Sequence, residues 1–222
     1  MAHHPGDVRL RAAEPASPLT MLADLLVGRA SADAVSAEAW PAVVRAAAQH
    51  RLAPNLYAVL AQTAALERLP SGLVHRLRSD YHQAKVSNFL AIATAREWSQ
   101  RFAEAGIQAM WLKGVALALT VYPEPGLRAM TDVDVLVPAQ QAEEAMRLIA
   151  AATGRPPATL GASLDKHAVA DVGPANSVRL EVHWSLVDLP YQRRAEDAGW
   201  FLAGRTPLPG GADFYGPAPE AH

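Results

Sequence analysis

Residues 73–105 run for 33 positions without a glycine or a proline. Leu73, Leu77, Tyr81, Phe89, Ile92, Trp98 and Phe102 recur there at roughly helical steps, which predicts one long helix. A rod of that length buries its apolar positions only if several other elements pack along it. The chain before it is also helical in texture. Leu19, Leu22, Leu25 and Leu26 fall at helical spacing. Ser36 is a candidate cap for a helix over about 37–51, with Pro41 tolerated in the first turn. Pro54 opens a further helix through about Glu67, and Ser71 after Pro70 is a candidate cap for the long one. Residues 19–105 are therefore expected to form a helical region of about four helices. Residues 1–18 are rich in Ala, Pro, Gly and charge without a period and are expected to be a disordered leader.

The texture changes at Gly106. Ile107 to Leu112 is a short apolar run, and Asp132 to Val137 alternates cleanly, so both read as strands. Gly114 to Tyr122 reads as a short helix, and Pro138 opens another through about Ala152. His167 to Val172 and Ser177 to Trp184 read as two strands joined by the four-residue loop Gly173-Pro-Ala-Asn176. Residues 106–190 are thus expected to be a separate core, and 191–222, rich in Pro and Gly towards the end, a C-terminal tail. The expected class is α/β (α+β): a helical N-terminal region packed on a small mixed β-sheet flanked by helices.

Composition narrows the chemistry. With no cysteine among its 222 residues, the chain has no disulfide, thiolate metal site or thiol nucleophile. The formal net charge of −2 lacks the basic excess that a long nucleic-acid partner favours. No apolar run reaches the length of a membrane span, and the N-terminus has no signal-peptide core, so a cytoplasmic protein is expected. Lysine is scarce, at Lys85, Lys113 and Lys166 alone.

The chemistry-bearing residues lie between 111 and 184. In Asp132-Val-Asp134, side chains two apart share one strand face, so both carboxylates point the same way while Val133, Val135 and Val137 face the core. The two carboxylates repel unless a cation lies between them, and such a pair suits one Mg²⁺ or a bridged pair of ions. Taken alone, an Asp-x-Asp is most often only the solvated face of a strand. A second strand repeats the pattern, with Leu180, Val182 and Trp184 on one face and Glu181 and His183 on the other. If it pairs beside the first, Glu181 meets the aspartates and can help remove a proton from an attacking hydroxyl. Lys113-Gly114 stands between a strand and a helix, where free N–H groups and an ammonium favour an anion. Arg128 suits either an ion pair with Asp132 or Asp134 or a phosphate clamp. His183 suits either a substrate contact or a structural hydrogen bond. His167 reads as structural or exposed, and Trp98, Trp111 and Trp184 as core.

Together these motifs resemble the polymerase-β-type nucleotidyltransferase superfamily, and within it a bacterial group called nucleotidyltransferase family proteins. The matching pieces are Leu112-Lys113-Gly114, Arg128-Ala-Met-Thr-Asp132-Val-Asp134 and Leu180-Glu181-Val182-His183-Trp184. Ala47-Ala-Gln-His-Arg-Leu-Ala-Pro54 and Asn88 extend the likeness to about residues 40–190. The resemblance implies that Asp132, Asp134 and Glu181 are the catalytic, metal-holding carboxylates. It places Lys113 and Gly114 at the phosphates, with Arg128 and His183 in the nucleotide site. It implies Mg²⁺, two ions, as cofactor, an NTP, expected to be ATP, as donor, and a protein, small molecule or RNA end as acceptor. Val115 stands where the superfamily often has Ser or Gly after its glycine, and members of the group usually continue further. Those departures keep open an alternative, a catalytically inactive nucleotide-binding or protein-interaction module of the same fold.

Overall fold

The computed structural model describes residues 16–156, 158–159, 167–185 and 195–218. Most of the expected leader, residues 1–15, lies outside them. Ser17 instead starts the first helix, α1 (Pro18–Leu26), its side chain accepting a hydrogen bond from Thr20 N. The second helix, α2 (Trp40–Gln49), begins later than the Ser36 signal suggests. Ser36 spends its carbonyl on a turn to Ala39 N, and the helix starts with Pro41 in its first turn. It is followed by α3 (Ala53–Gln62) and by the long α4 (Ser71–Glu104), whose 34 residues span about 51 Å at the usual rise.

The long helix serves two cores. Near its start, Leu77 packs with Leu22, Val43, Leu56 and Leu60 of the first three helices. Near its end, Ala91, Ala95, Trp98 and Phe102 pack against the sheet. Between the two, Phe89 is 51% exposed, although its helical spacing suggests burial.

Beyond α4 come β1 (Met110–Trp111), α5 (Lys113–Thr120), β2 (Val133–Leu136), α6 (Ala142–Thr153), β3 (Ala158–Thr159), β4 (His167–Val172) and β5 (Val178–His183). They form a mixed sheet in the order β1-β2-β5-β4-β3, in which β2 and β5 run parallel and the other pairs antiparallel. This is the small mixed sheet with flanking helices that the sequence predicts. The first strand is shorter than the apolar run 107–112, because Ile107 N is held by Phe102 O and Gln108 N by the Gln141 side chain. Val133, Val135 and Val137 face α4 and α6, and Trp111 joins them, its indole N–H donating to Ser99 Oγ at 2.6 Å. Met110, Leu112 and Leu136 face the other way, against Ala198 and Leu202 of α7 (Ala195–Ala203).

Where it is described, the stretch expected as a C-terminal tail, residues 191–222, carries regular structure, α7 among it. Arg205–Pro207 and Tyr215–Pro217 pair as β6 and β7, and Leu208 and Phe214 enter the core under the sheet. Pro and Gly there shape a tight hairpin, which is a second use of the composition that marks loose chain.

A polar strut fixes the loop before β2. Tyr81 donates its hydroxyl proton to Glu124, whose other oxygen accepts from Lys85 Nζ at 3.2 Å. Asn88 Nδ2 donates to the carbonyls of Pro125 and Arg128, both at 2.6 Å. The Tyr81 hydrogen bond holds the Glu124 carboxyl below the ordinary carboxylate range; partial burial opposes this and Lys85 adds to it. A carboxyl depressed in the folded state stabilises above its unfolded pKa, and that contribution is lost as pH falls through the folded value. The stability gap between the parent and Glu124→Gln should therefore be open at neutral pH and close on acidification. Urea unfolding across a pH series measures it, and a gap that stays constant into acid contradicts the strut.

Candidate functional site

The parallel pairing of β2 and β5 sets Asp134 opposite Glu181 and Leu136 opposite His183. The antiparallel pairing of β4 and β5 sets His167 opposite His183. With side chains alternating, Asp134, Glu181, His183 and His167 share the sheet face turned away from α4. Ligand atoms of Asp134, Glu181 and His183 lie within 4.8 Å of one another. His183 Nε2 is 2.9 Å from Asp134 Oδ1 and 3.6 Å from Glu181 Oε2. The His167 ring sits 5.0 Å from that of His183, its Nδ1 buried and without a hydrogen-bond partner among the described residues.

Asp134 is 1% exposed. Burial alone would raise its pKa, but the hydrogen bonds from His183 and Lys113, together with their charge, outweigh it and hold the carboxyl below its usual range. Lys113 delivers its ammonium from the start of α5, Nζ standing 2.5 Å from Asp134 Oδ1. Its backbone φ is 45°, a left-handed conformation that costs a non-glycine residue about 1–2 kcal/mol. Strain of this kind persists where the surroundings demand it, here at the turn from β1 into α5.

Gly114 follows. A Cβ built on it would lie 2.8 Å from Met130 Cγ and Sδ, so the glycine makes room for the loop before β2. Gly114→Ala is expected to cost about 1–3 kcal/mol of stability by overpacking. A double-mutant cycle with Met130→Ala measures the coupling, and additive effects would show that the contact carries no strain.

Two predicted site residues lie apart from the group. Asp132 precedes β2, is half-buried, and makes no hydrogen bond or ion pair among the described residues. It lines a cavity of about 270 Å³ with Ser87, Met130 and Ser177. Arg128 pairs with neither aspartate among the described residues; its Nη1 donates to the Ala129 carbonyl at 2.6 Å. Sequence reasoning placed Lys113 at a phosphate and missed its direct contact with Asp134, which no spacing rule reports. It also missed that His167 stacks beside His183. The signal for that was the hairpin register, since pairing Val172 with Val178 leaves five residues in the loop, one more than the Gly173–Asn176 reading.

The donor set fits a divalent cation. Asp134 and Glu181 offer the oxygens that Mg²⁺ prefers, and the ammonium of Lys113 already rests on one of them. A mixed sheet flanked by helices and carrying such an acid-bearing face defines an α+β protein with a candidate cation site. The family model described as "Uncharacterised nucleotidyltransferase" matches residues 36–222, and the chain belongs to that family. No curated protein and no solved structure matches the chain. The family supports a general nucleotidyltransferase role. Among the described residues, no helix is long and apolar enough to cross a membrane.

Proposed function

We propose that this protein moves a nucleoside monophosphate from an NTP, with ATP the expected donor, to an acceptor hydroxyl or phosphate and releases pyrophosphate. The observation that carries the reading is the convergence of Asp134, Glu181 and His183 on one sheet face beside Lys113. Asp134 and Glu181, with Asp132 two residues earlier in the chain, hold Mg²⁺ in this reading. When bound, Mg²⁺ neutralises charge on the transferring phosphoryl group. The acceptor oxygen forms a bond to the α-phosphorus while the bond to the bridging oxygen of pyrophosphate breaks, its electron pair leaving with pyrophosphate. The proton of a hydroxyl acceptor passes to Glu181. Lys113 moves from Asp134 to the phosphates, Gly114 lets the backbone come close, and Arg128 is free to add a second cation. His183 keeps Asp134 oriented through its hydrogen bond.

The test is Mg²⁺-dependent pyrophosphate release with each of the four common NTPs in cell extract, followed by mass spectrometry of the labelled product. Lys113→Met should raise KM for the NTP by at least about tenfold, the worth of one lost charge-assisted contact. An unchanged KM removes Lys113 from the phosphate site. A second reading, nucleotide binding without turnover, draws on the Lys113–Asp134 contact, since an ammonium held there competes with a metal ion. ATP binding with no pyrophosphate release across the acceptors would favour it.

A further inference from the structure

The edge strand β1 leaves buried backbone groups unspent. Leu112 N donates to Asp134 O at 2.9 Å, so alternation turns the N–H and C=O of Ala109 away from β2. Ala109 is 7% exposed, yet neither group makes a hydrogen bond among the described residues. Buried backbone groups are nearly always paired, with protein, water or a bound molecule.

A cavity of about 210 Å³ lies against Ala109. Ser99 of α4 and Arg205, Asp213 and Tyr215 of the β6–β7 hairpin complete the polar part of its wall. Ser99 is 2% exposed. Its Oγ accepts from the Trp111 indole at 2.6 Å, and its own proton has no acceptor among the described residues. The Arg205 guanidinium lies over the Tyr215 ring, 5.1 Å from its centroid, and gives Nη1 to Leu202 O. Its Nε and Nη2 have no partner among the described residues, and neither has the Asp213 carboxylate. The two opposite charges thus border one cavity without pairing. A ligand that carries both signs satisfies both, whereas an anion alone leaves Asp213 unspent and a cation alone leaves Arg205. The volume is below the roughly 300–1,000 Å³ of pockets for drug-sized ligands, so the occupant is small. None of the wall residues belongs to the group around Asp134.

We propose that this cavity is a binding site for a free α-amino acid with a small side chain. The ligand carboxylate takes the fork of Arg205, a planar donor pair suited to two carboxylate oxygens. The ligand ammonium pairs with Asp213 and donates to the free carbonyl of Ala109. The site stands independently of the nucleotidyl-transfer reading.

The experiment is a titration of the full chain labelled with ¹⁵N-tryptophan, followed through the Trp111 indole N–H that donates to Ser99 in the cavity wall. Glycine, L-alanine and L-serine are the probes. Propionate supplies the carboxylate alone and ethylamine the ammonium alone. The expected result is a saturable shift of the Trp111 signal by the amino acids, with propionate and ethylamine each at least about tenfold weaker, the worth of one charged hydrogen bond. Asp213→Asn should erase the advantage of L-alanine over propionate, and Arg205→Met its advantage over ethylamine. Ala103→Phe, which fills the cavity from an exposed position on α4, should abolish the shift while leaving the melting curve of the protein in place. Trp111 unmoved by all three amino acids, propionate or ethylamine binding as tightly as L-alanine, or binding indifferent to Asp213→Asn in the folded variant would each overturn the proposal.

Discussion

Asp134→Asn is expected to lower Mg²⁺-dependent pyrophosphate release by at least about 10²–10³-fold, the range seen when one preorganised electrostatic group is removed from a site. Asp134 is the most deeply buried member of the group, and its Oδ1 receives both the imidazole of His183 and the ammonium of Lys113. The amide keeps the volume and one carbonyl oxygen, so packing is preserved while the charge that attracts a cation is gone. Glu181→Gln should show a smaller loss, because Glu181 is partly exposed and water can replace some of its hydrogen bonding. Rates within threefold of the parent for Asp134→Asn would remove the residue from the chemistry. Circular dichroism and a melting curve on the same sample separate loss of activity from loss of fold.

Phe214→Ala carries the largest expected effect on stability. Phe214 is 1% exposed, its ring centroid lies 6.3 Å from that of Trp111, and the Arg96 guanidinium carbon lies over the same ring, 5.8 Å from its centroid. Truncating a buried phenylalanine costs about 3–5 kcal/mol through lost transfer energy and the cavity left behind. For a chain of this size each kcal/mol lowers Tm by about 2–4 °C, so a fall of about 6–20 °C is expected. A loose tail would show no change. Differential scanning calorimetry of Phe214→Ala therefore decides whether the β6–β7 hairpin is part of the sheet's core.

The same residue shows where sequence reading stops. Helical stretches were legible because apolar positions recur at a period that only one regular structure satisfies, and α4 follows the glycine-free run closely. The acid-bearing strands were legible because alternation put Val133, Val135, Leu180 and Val182 on one face and the charged residues on the other. Leu208 and Phe214 were not legible, since each is a single apolar residue among Pro and Gly, and its burial depends on a surface made by distant elements. The place of Asp132 was not legible either. Alternation puts it on the same side as Asp134 only while the strand continues, and β2 begins at Val133. His167 illustrates register. One residue more in the hairpin loop moves every β4 residue one position along β5, so that His167 pairs with His183 rather than with Val182 on the other face, and the loop length is set by the packing of the whole sheet.

The central claim is that Asp134 and Glu181, brought side by side by parallel strands, hold a divalent cation together with an NTP. Mn²⁺ electron paramagnetic resonance tests it directly, with Mn²⁺ in place of Mg²⁺ and a non-hydrolysable ATP analogue present. The account predicts a bound-Mn²⁺ signal that strengthens when the analogue is added and disappears in the Asp134→Asn, Glu181→Gln double variant. A signal of equal strength in the parent and in the folded double variant, or no bound Mn²⁺ in the parent at all, would contradict it.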